Sequence, residues 1–193
     1  APYYLIEKIK GSLLAKSDDA RIIWISSILG RPENFSFNDM QLLKTGMAYG
    51  GSKRLFDLLH LATYKELKDK YGIRQYLTHP GIFVSYTYTR FLNVFMYYGM
   101  LALFLLARWL GSPWLDIDGW KAANAPIYVS VKADTEDDQS LKYGSACTKG
   151  GEEYLKTTTV DSTGKDDVLQ YLESLKKEWD EKFRDQITDS RKL

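Results

Sequence analysis

Hydrophobic positions in the first 80 residues switch three times between helical and strand-like spacing. Apolar residues from Tyr3 to Leu14 recur every three or four positions, which predicts a helix. The apolar run Arg21–Ile25 shows no alternation, which is typical of a strand buried on both faces of a parallel sheet. Helical spacing returns over 47–71, and 73–78 predicts a second strand. The order helix, strand, helix, strand predicts an α/β fold.

The next hydrophobic segment has a different character. The 17 residues of 91–107 carry no charge, and Arg90 and Arg108 flank them. A helix of this length spans about 25 Å, slightly less than a hydrocarbon core of about 30 Å. Four interpretations are open: a transmembrane span, a helix lying on the membrane, a lid over an apolar substrate, or a buried core helix. We favour a membrane-surface helix within 91–115 that also serves as a lid.

The last third of the chain predicts more α/β structure. A helix is expected over 118–131, a charged loop over 132–140, and one or two strands over 142–159. The segment 165–187 is strongly charged but carries an apolar stripe at helical spacing, which predicts an amphipathic helix. The stripe comprises Val168, Leu172, Leu175, Trp179 and Phe183.

Composition and charge narrow the functional classes. The chain has 193 residues, 26 Lys and Arg against 25 Asp and Glu, and a net charge of +1. This balance argues against a nucleic-acid-binding protein, which usually carries a basic face. The single cysteine, Cys147, excludes an internal disulfide. With only His60 and His79 as histidines, we predict no metal site.

The strongest chemical signal is Tyr49-Gly50-Gly51-Ser52-Lys53. Tyr49 and Lys53 are four positions apart, so on a helix they share one face. A nearby ammonium favours the phenolate and lowers the pKa of a tyrosine, which lets the phenol exchange a proton near neutral pH. The spacing alone also fits an ordinary Tyr–Lys pair on the surface. The context, namely the motifs on either side, therefore has to distinguish a surface pair from a catalytic one.

That context is a pair of strand ends. Ser26-Ser27 follows the first predicted strand, and Pro80-Gly81 follows the second. In an open α/β sheet, ligands bind outside the carboxyl ends of the strands. Ser27 and the Pro80-Gly81 loop should therefore meet at one edge, with Tyr49 on the helix between them.

These motifs resemble the short-chain dehydrogenase/reductase family, and longer matches resemble its sterol-reducing members. The stretches that carry the resemblance are Arg21–Ser27, Arg31–Asp39, Ala48–Lys53, His79–Ser85, the apolar segment 91–110 and Lys142–Ala146. The resemblance implies the C-terminal part of a Rossmann-like, doubly wound parallel sheet, with an apolar helical insertion and a C-terminal helix. It also implies a catalytic domain over 1–160, followed by a helix and tail over 161–193.

The resemblance also implies a role for each site residue. Tyr49 would protonate the substrate carbonyl oxygen, Lys53 would lower the Tyr49 pKa and hold the nicotinamide ribose, and Ser27 would polarise the carbonyl. The groups expected to line the nicotinamide, together with Tyr49 and Lys53, are the Pro80-Gly81 loop, the backbone of Ile82 and Phe83, and the hydroxyl of Ser85. Ser85 fits a helix cap equally well, and Ser27 also fits a cap of the turn that follows the strand. We expect His79 to be packed or solvated and Cys147 to be packed, neither with a catalytic role.

The implied function is NADPH-dependent reduction of the C3 ketone of a sterol to a 3β-hydroxyl during C4 demethylation. The implied location is the cytoplasmic face of the endoplasmic reticulum membrane, or the lipid droplet. Other enzymes of the C4-demethylation complex would be partners. The alternatives are a 17β-hydroxysteroid or retinol-type dehydrogenase, and a non-catalytic, truncated membrane-associated fragment.

The sequence departs from the family pattern in three ways. Tyr49 lies 22 positions after Ser27, which implies a loop insertion; Ser36, at 13 positions before Tyr49, has the usual spacing but is predicted to cap a short helix over 37–43. Gly51 replaces a usual Ala, which we expect to make room for the cofactor. The phosphate-binding motif Thr-Gly-x-x-x-Gly-x-Gly does not occur. We therefore expect the C-terminal part of a reductase, which alone binds no NADPH.

Overall fold

The computed structural model describes residues 2–12, 14–85 and 89–184. Its α-helices are α1 (Pro2–Ile9), α2 (Ala48–Tyr71), α3 (Val94–Trp109), α4 (Gly119–Ala122), α5 (Asn124–Ile127) and α6 (Lys165–Phe183). Its strands are β1 (Arg21–Ile25), β2 (Arg74–His79), β3 (Ile82–Phe83), β4 (Leu115–Ile117), β5 (Lys142–Cys147) and β6 (Glu153–Thr158).

A four-stranded sheet in the order β1-β2-β5-β6 organises the chain. β1 pairs with β2 and β2 pairs with β5 in parallel, whereas β5 and β6 are antiparallel. In this register Ile25 lies beside Thr78, and His79 lies beside Gly144. The carboxyl ends of β1 and β2 therefore meet at one edge, as expected.

Helices cover both faces of this sheet. On one face, Ile22 and Trp24 of β1 pack with Leu59 of α2 in a core that α1 and α6 extend. On the other face, Tyr76 and Tyr143 pack with residues of α5 and the π-helical turn that follows it. The predicted α/β, Rossmann-like class is confirmed. The expectation of a strand buried on both faces is wrong at the end of β1, where Ile25 is exposed.

Most predicted elements form, with adjusted bounds. Gly72 ends α2 in the left-handed conformation, with φ of 66°. α1 ends at Ile9, earlier than expected, and a 3₁₀ turn follows at Leu14–Lys16. Of the predicted terminal helix, α6 forms to Phe183, and 185–187 lie outside the described residues, as does Leu13 of the first helix.

The single helix expected over 118–131 is wrong. This segment breaks into α4, α5 and a π-helical turn at Tyr128–Lys132. The Ser145 side chain interrupts the helical ladder, because its hydroxyl donates to Ala122 O at 2.6 Å and accepts from Ala125 N at 2.9 Å. Pro126 lacks an amide hydrogen, which weakens the ladder further.

The parallel pair β3–β4 was not predicted. Its strands contain only two and three residues, too few for a hydrophobic period to show. The pair joins the segment after Pro80-Gly81 to the segment after α3. It therefore brings α3 close to the carboxyl ends of β1 and β2.

Candidate active site

A groove of about 400 Å³ opens at the carboxyl ends of β1 and β2. Its lining residues are Ser26, Ser27, Ile28, Leu29, Tyr49, Pro80, Gly81, Ile82, Phe83, Ser85 and Phe104. Ser27, Tyr49 and the loop from Pro80 to Ser85 are thus brought together, as their positions in the sequence predicted. Phe104 of α3 was not singled out, although the surrounding segment was expected to act as a lid.

Tyr49 and Lys53 occupy the first turns of α2. Tyr49 is 58% exposed, so its phenol is open to a ligand in the groove. The Lys53 ammonium nitrogen lies 5.5 Å from the centroid of the Tyr49 ring and donates to Ile25 O at 2.9 Å. An ammonium has three N–H groups, so this bond leaves others that can donate to a ligand.

The two adjacent serines have different surroundings. Ser26 continues the parallel ladder, donating its amide to Thr78 O at 2.7 Å, and its hydroxyl donates to Asp57 in the buried layer. Ser27, the next residue, also lines the groove and is partly exposed there, whereas Ser26 is buried. The Ser27 hydroxyl oxygen accepts from Leu29 N at 3.2 Å, and its own hydrogen can be donated to a ligand oxygen.

Ser36 is placed as predicted for a cap. Its hydroxyl accepts from Asn38 N at 3.3 Å at the start of a 3₁₀ turn, Phe37–Asp39. The turn is shorter than the helix expected over 37–43. Local capping therefore accounts for this serine.

The loop after β2 is shaped by buried contacts. Gly81 has φ of 66°, and a Cβ there would lie 2.8 Å from Trp114 O, so only glycine fits. The Ile82 amide already donates to Trp114 O at 2.6 Å, so Ile82 presents its side chain, not its amide, to the groove. The Ser85 carbonyl accepts from Thr89 N at 3.3 Å and Thr89 Oγ1 at 3.0 Å. Its hydroxyl remains a predicted cofactor contact.

The expected reason for Gly51 is wrong. A Cβ on Gly51 would lie 2.6 Å from Leu42 Cδ2 and 2.9 Å from Asn34 O. The neighbouring Gly50 meets the Asn34 side chain and Leu29 O just as closely. The two glycines therefore make room for the loop between Ser27 and Tyr49, not for a cofactor.

Three buried titratable residues lie beneath the groove. Burial, and then the Lys142 charge, lower the pKa of His79 to about 3, and its neutral ring accepts from Gly81 N at 3.2 Å. Burial raises the pKa of Asp116 to about 6, and burial together with Asp116 raises that of Cys147 to about 12. Of the two outcomes expected for His79, packed or solvated, the structure shows the packed one, and Cys147 is packed as expected. His79 also holds the Pro80-Gly81 loop.

The helix α3 presents two faces. Side chains at 97, 101, 104 and 108 are partly buried and lie on one stripe, while the remaining surface exposes large apolar residues. The exposed set includes Val94, Phe95, Met96, Tyr98, Leu103, Leu105, Leu106 and Trp109. Among the described residues, no helix combines the length and the apolar character needed to cross a membrane.

Comparison with known proteins gives a consistent set of relatives. The chain is 54% identical over 191 residues to a 3-keto-steroid reductase of Kluyveromyces lactis and to one of Saccharomyces cerevisiae, in each case covering 98% of this chain and 54% of the relative. A 3-keto-steroid reductase of Yarrowia lipolytica is 34% identical, with 96% and 54% covered. No family model and no solved structure matches the chain.

The chain spans about half the length of the curated relatives it matches. The alignment nevertheless includes the groove, the loop after β2 and α3, because it covers 98% of the chain. The resemblance inferred from the motifs is confirmed. The chain is a homologue of the fungal 3-keto-steroid reductases.

Proposed function

We propose that the chain forms the carbonyl-protonating and nicotinamide-lining part of an NADPH-dependent 3-keto sterol reductase. One observation supports this most strongly: Ser27, Tyr49 and the Pro80–Ser85 loop line one groove, in a homologue of 3-keto-steroid reductases. The substrate class follows the relatives' name. The choice of NADPH over NADH follows the family resemblance.

The groove fits a nicotinamide beside a ketone. Its volume of about 400 Å³ lies within the usual range for small-molecule sites. Pro80, Ile82 and Phe83 offer an apolar wall, and Lys53 has N–H groups available for ribose hydroxyls. A bound nicotinamide would supply the hydride that reduces the carbonyl carbon.

Residues of this chain then stabilise the charge on the carbonyl oxygen and protonate it. The Ser27 hydroxyl donates a hydrogen bond to that oxygen and stabilises the negative charge that develops on it. The Tyr49 phenol transfers its proton to the same oxygen, which becomes the hydroxyl of the product. Lys53, one helical turn away, stabilises the resulting phenolate and holds α2 against the end of β1.

The helix α3 suits an apolar substrate drawn from a membrane. Its partly buried stripe brings Phe104 to the groove, while its opposite side exposes apolar residues. We propose that this outer side lies on the cytoplasmic surface of the endoplasmic reticulum or on a lipid droplet. Other enzymes of sterol C4 demethylation would then be neighbours on the same surface.

A substrate panel tests the function. The full-length protein is assayed with a 3-keto sterol, a 17-keto steroid and retinal, each with NADPH and NADH. We expect turnover of the 3-keto sterol with NADPH, giving the 3β-alcohol. Preference for the 17-keto steroid or retinal would support the dehydrogenase alternative, and inactivity with every ketone would contradict catalysis.

A further inference from the structure

A buried ion pair lies directly behind the Ser26-Ser27 turn. Lys142, the first residue of β5, places its ammonium nitrogen 2.7 Å from Asp57 Oδ2. The two side chains are only 7% and 1% exposed. The same ammonium donates to Ser27 O at 2.7 Å. The other carboxylate oxygen of Asp57 accepts from the Ser26 hydroxyl.

This arrangement fixes the main chain on both sides of Ser27. Asp57 anchors the residue before it through the Ser26 hydroxyl, and Lys142 anchors the Ser27 carbonyl itself. Leu29 N–H then binds the Ser27 hydroxyl oxygen from the other side. With three anchors around it, the Ser27 hydroxyl has a defined position in the groove.

The Asp57–Lys142 pair also connects the Ser26-Ser27 turn to α2, the helix that carries Tyr49. Tyr49, Lys53 and Asp57 follow each other at intervals of four along α2, so they share one face. A cation that bridges Asp57 and Ser27 O therefore ties the serine to the helix that carries the tyrosine. The distance between the two proposed hydrogen-bond donors depends on this bridge.

The turn after Ser27 packs closely against the Asp57–Lys142 pair. A Cβ on Gly30 would lie 2.9 Å from Asp57 Oδ2 and 3.3 Å from Lys142 Nζ. Stability alone does not explain such a pair, because apolar residues of similar volume often replace a buried ion pair without loss. A positional role accounts for both the buried charges and the close approach of Gly30.

We propose that Lys142 and Asp57 are positioning residues that hold the Ser27 hydroxyl at its working distance from Tyr49. This inference rests on the proposed function, since it assigns the pair to the reduction of the ketone. The pair itself does not reach the substrate; it acts through the Ser27 turn.

The main test is the double variant Lys142→Met/Asp57→Asn in the full-length protein. It leaves no unpaired buried charge, and the side-chain amide introduced by Asp57→Asn has a carbonyl that can still accept from the Ser26 hydroxyl. We expect kcat for the 3-keto sterol to fall about 100-fold, as for a misplacement of about 1 Å, with an unchanged Kd for NADPH. Wild-type kcat in the double variant would overturn the proposal.

A Ser27→Ala background separates positioning from general damage. If the pair acts through Ser27, adding the double change to Ser27→Ala lowers kcat no further. An equal additional loss in that background would show a structural role only. If the reductase function itself is wrong, the wild-type protein does not turn over the sterol, so the two failures are distinguishable.

Two further variants complete the design. Arg54→Met/Asp161→Asn removes another ion pair of α2, in which Arg54 is buried and lies 3.2 Å from Asp161, and should leave kcat within a few-fold. If the neutral double variant does not fold, Asp57→Glu tests the proposal instead. This substitution keeps the negative charge but displaces the carboxylate by the length of one methylene group. We expect a lower kcat with unchanged NADPH affinity, and full activity would contradict the proposal.

Discussion

The Lys53 ammonium bridges Tyr49 and the end of β1: its nitrogen lies 5.5 Å from the tyrosine ring centroid and 2.9 Å from Ile25 O. This side chain, together with the Asp57–Lys142 pair, holds α2 against the end of β1, which Ser27 follows. The phenol and the serine hydroxyl consequently open onto the same groove. Proton donation to a carbonyl oxygen is the chemistry that this pairing favours.

Removing the Tyr49 hydroxyl should strongly slow the reduction of a 3-keto sterol. Tyr49→Phe keeps the ring on α2 and deletes only the proton donor, so kcat should fall about 10²- to 10⁴-fold. NADPH affinity, measured by fluorescence titration, should stay close to that of the wild type. Tyr98→Phe on α3 is a matched control, since it deletes a phenol from an exposed residue, and it should retain activity. An active Tyr49→Phe enzyme would exclude the proposed proton transfer.

Replacing Gly51 by the family's usual alanine should destabilise the protein. Helix propensity alone would favour alanine by about 1 kcal/mol. The added Cβ, however, would lie 2.9 Å from the backbone oxygen of Asn34, and such overpacking costs about 1–3 kcal/mol. Denaturant titration should therefore show a lower free energy of unfolding for Gly51→Ala.

The control for this change is another helical glycine. Gly99 lies within α3, and a Cβ there would meet no atom within 4 Å. Gly99→Ala should raise the free energy of unfolding slightly, because only the propensity term acts. Equal stabilisation by both substitutions would show that the loop does not press on Gly51.

Asp116 should make stability depend on pH. Its pKa is raised from 3.8 to about 6 in the folded chain, so between these values the folded protein keeps a proton that the unfolded chain has lost. Stability therefore falls as pH rises through this window, by about 3 kcal/mol, and then levels off. Asp116→Asn should remove this contribution. Relative to the wild type, the free energy of unfolding of Asp116→Asn should therefore increase from pH 4 to pH 7. A difference that stays constant with pH would contradict a pKa of Asp116 raised by burial.

The exposed side of α3 should bind lipid vesicles. Leu103→Glu introduces a charge on that side, where the leucine is 65% exposed, and should weaken binding to phospholipid vesicles about 10- to 100-fold, matching the loss of one buried leucine. Leu43→Glu is the control, because Leu43 is 79% exposed on the loop before α2. Flotation with vesicles measures both. Equal flotation of the two variants would contradict membrane contact through α3.

The elements with a clear hydrophobic period were predictable from sequence. β1, α2 and β2 form close to the bounds that their apolar runs predict, because each contributes buried side chains to the core. Within 142–159, where one or two strands are expected, both β5 and β6 form. The meeting of Ser27, Tyr49 and Pro80-Gly81 was also predictable, since parallel strands place their carboxyl ends at one edge.

What the sequence could not reveal depends on contacts between distant residues. The break after α4 is caused by Ser145, more than 20 positions downstream. The partnership of Lys142 with Asp57 joins residues 85 positions apart, and no local spacing reports it. The prediction that Gly51 makes room for a cofactor is wrong for the same reason. The loop that packs against Gly51 is irregular, so no periodic pattern in the sequence indicates its path.

The two serines that follow β1 are chemically identical, and only their positions in the chain distinguish them. Both border the groove, but the Ser26 hydroxyl donates to the buried Asp57 carboxylate, whereas the Ser27 hydroxyl accepts from Leu29 N and has its own hydrogen available for a ligand. Deleting a single residue within β1 would move Ser27 into the anchoring position beside Asp57 and Ile28 into the place of Ser27, so that the groove loses its serine donor. The role of each hydroxyl therefore depends on the number of residues that precede it. A change in the length of β1 would alter both roles without any substitution at either serine.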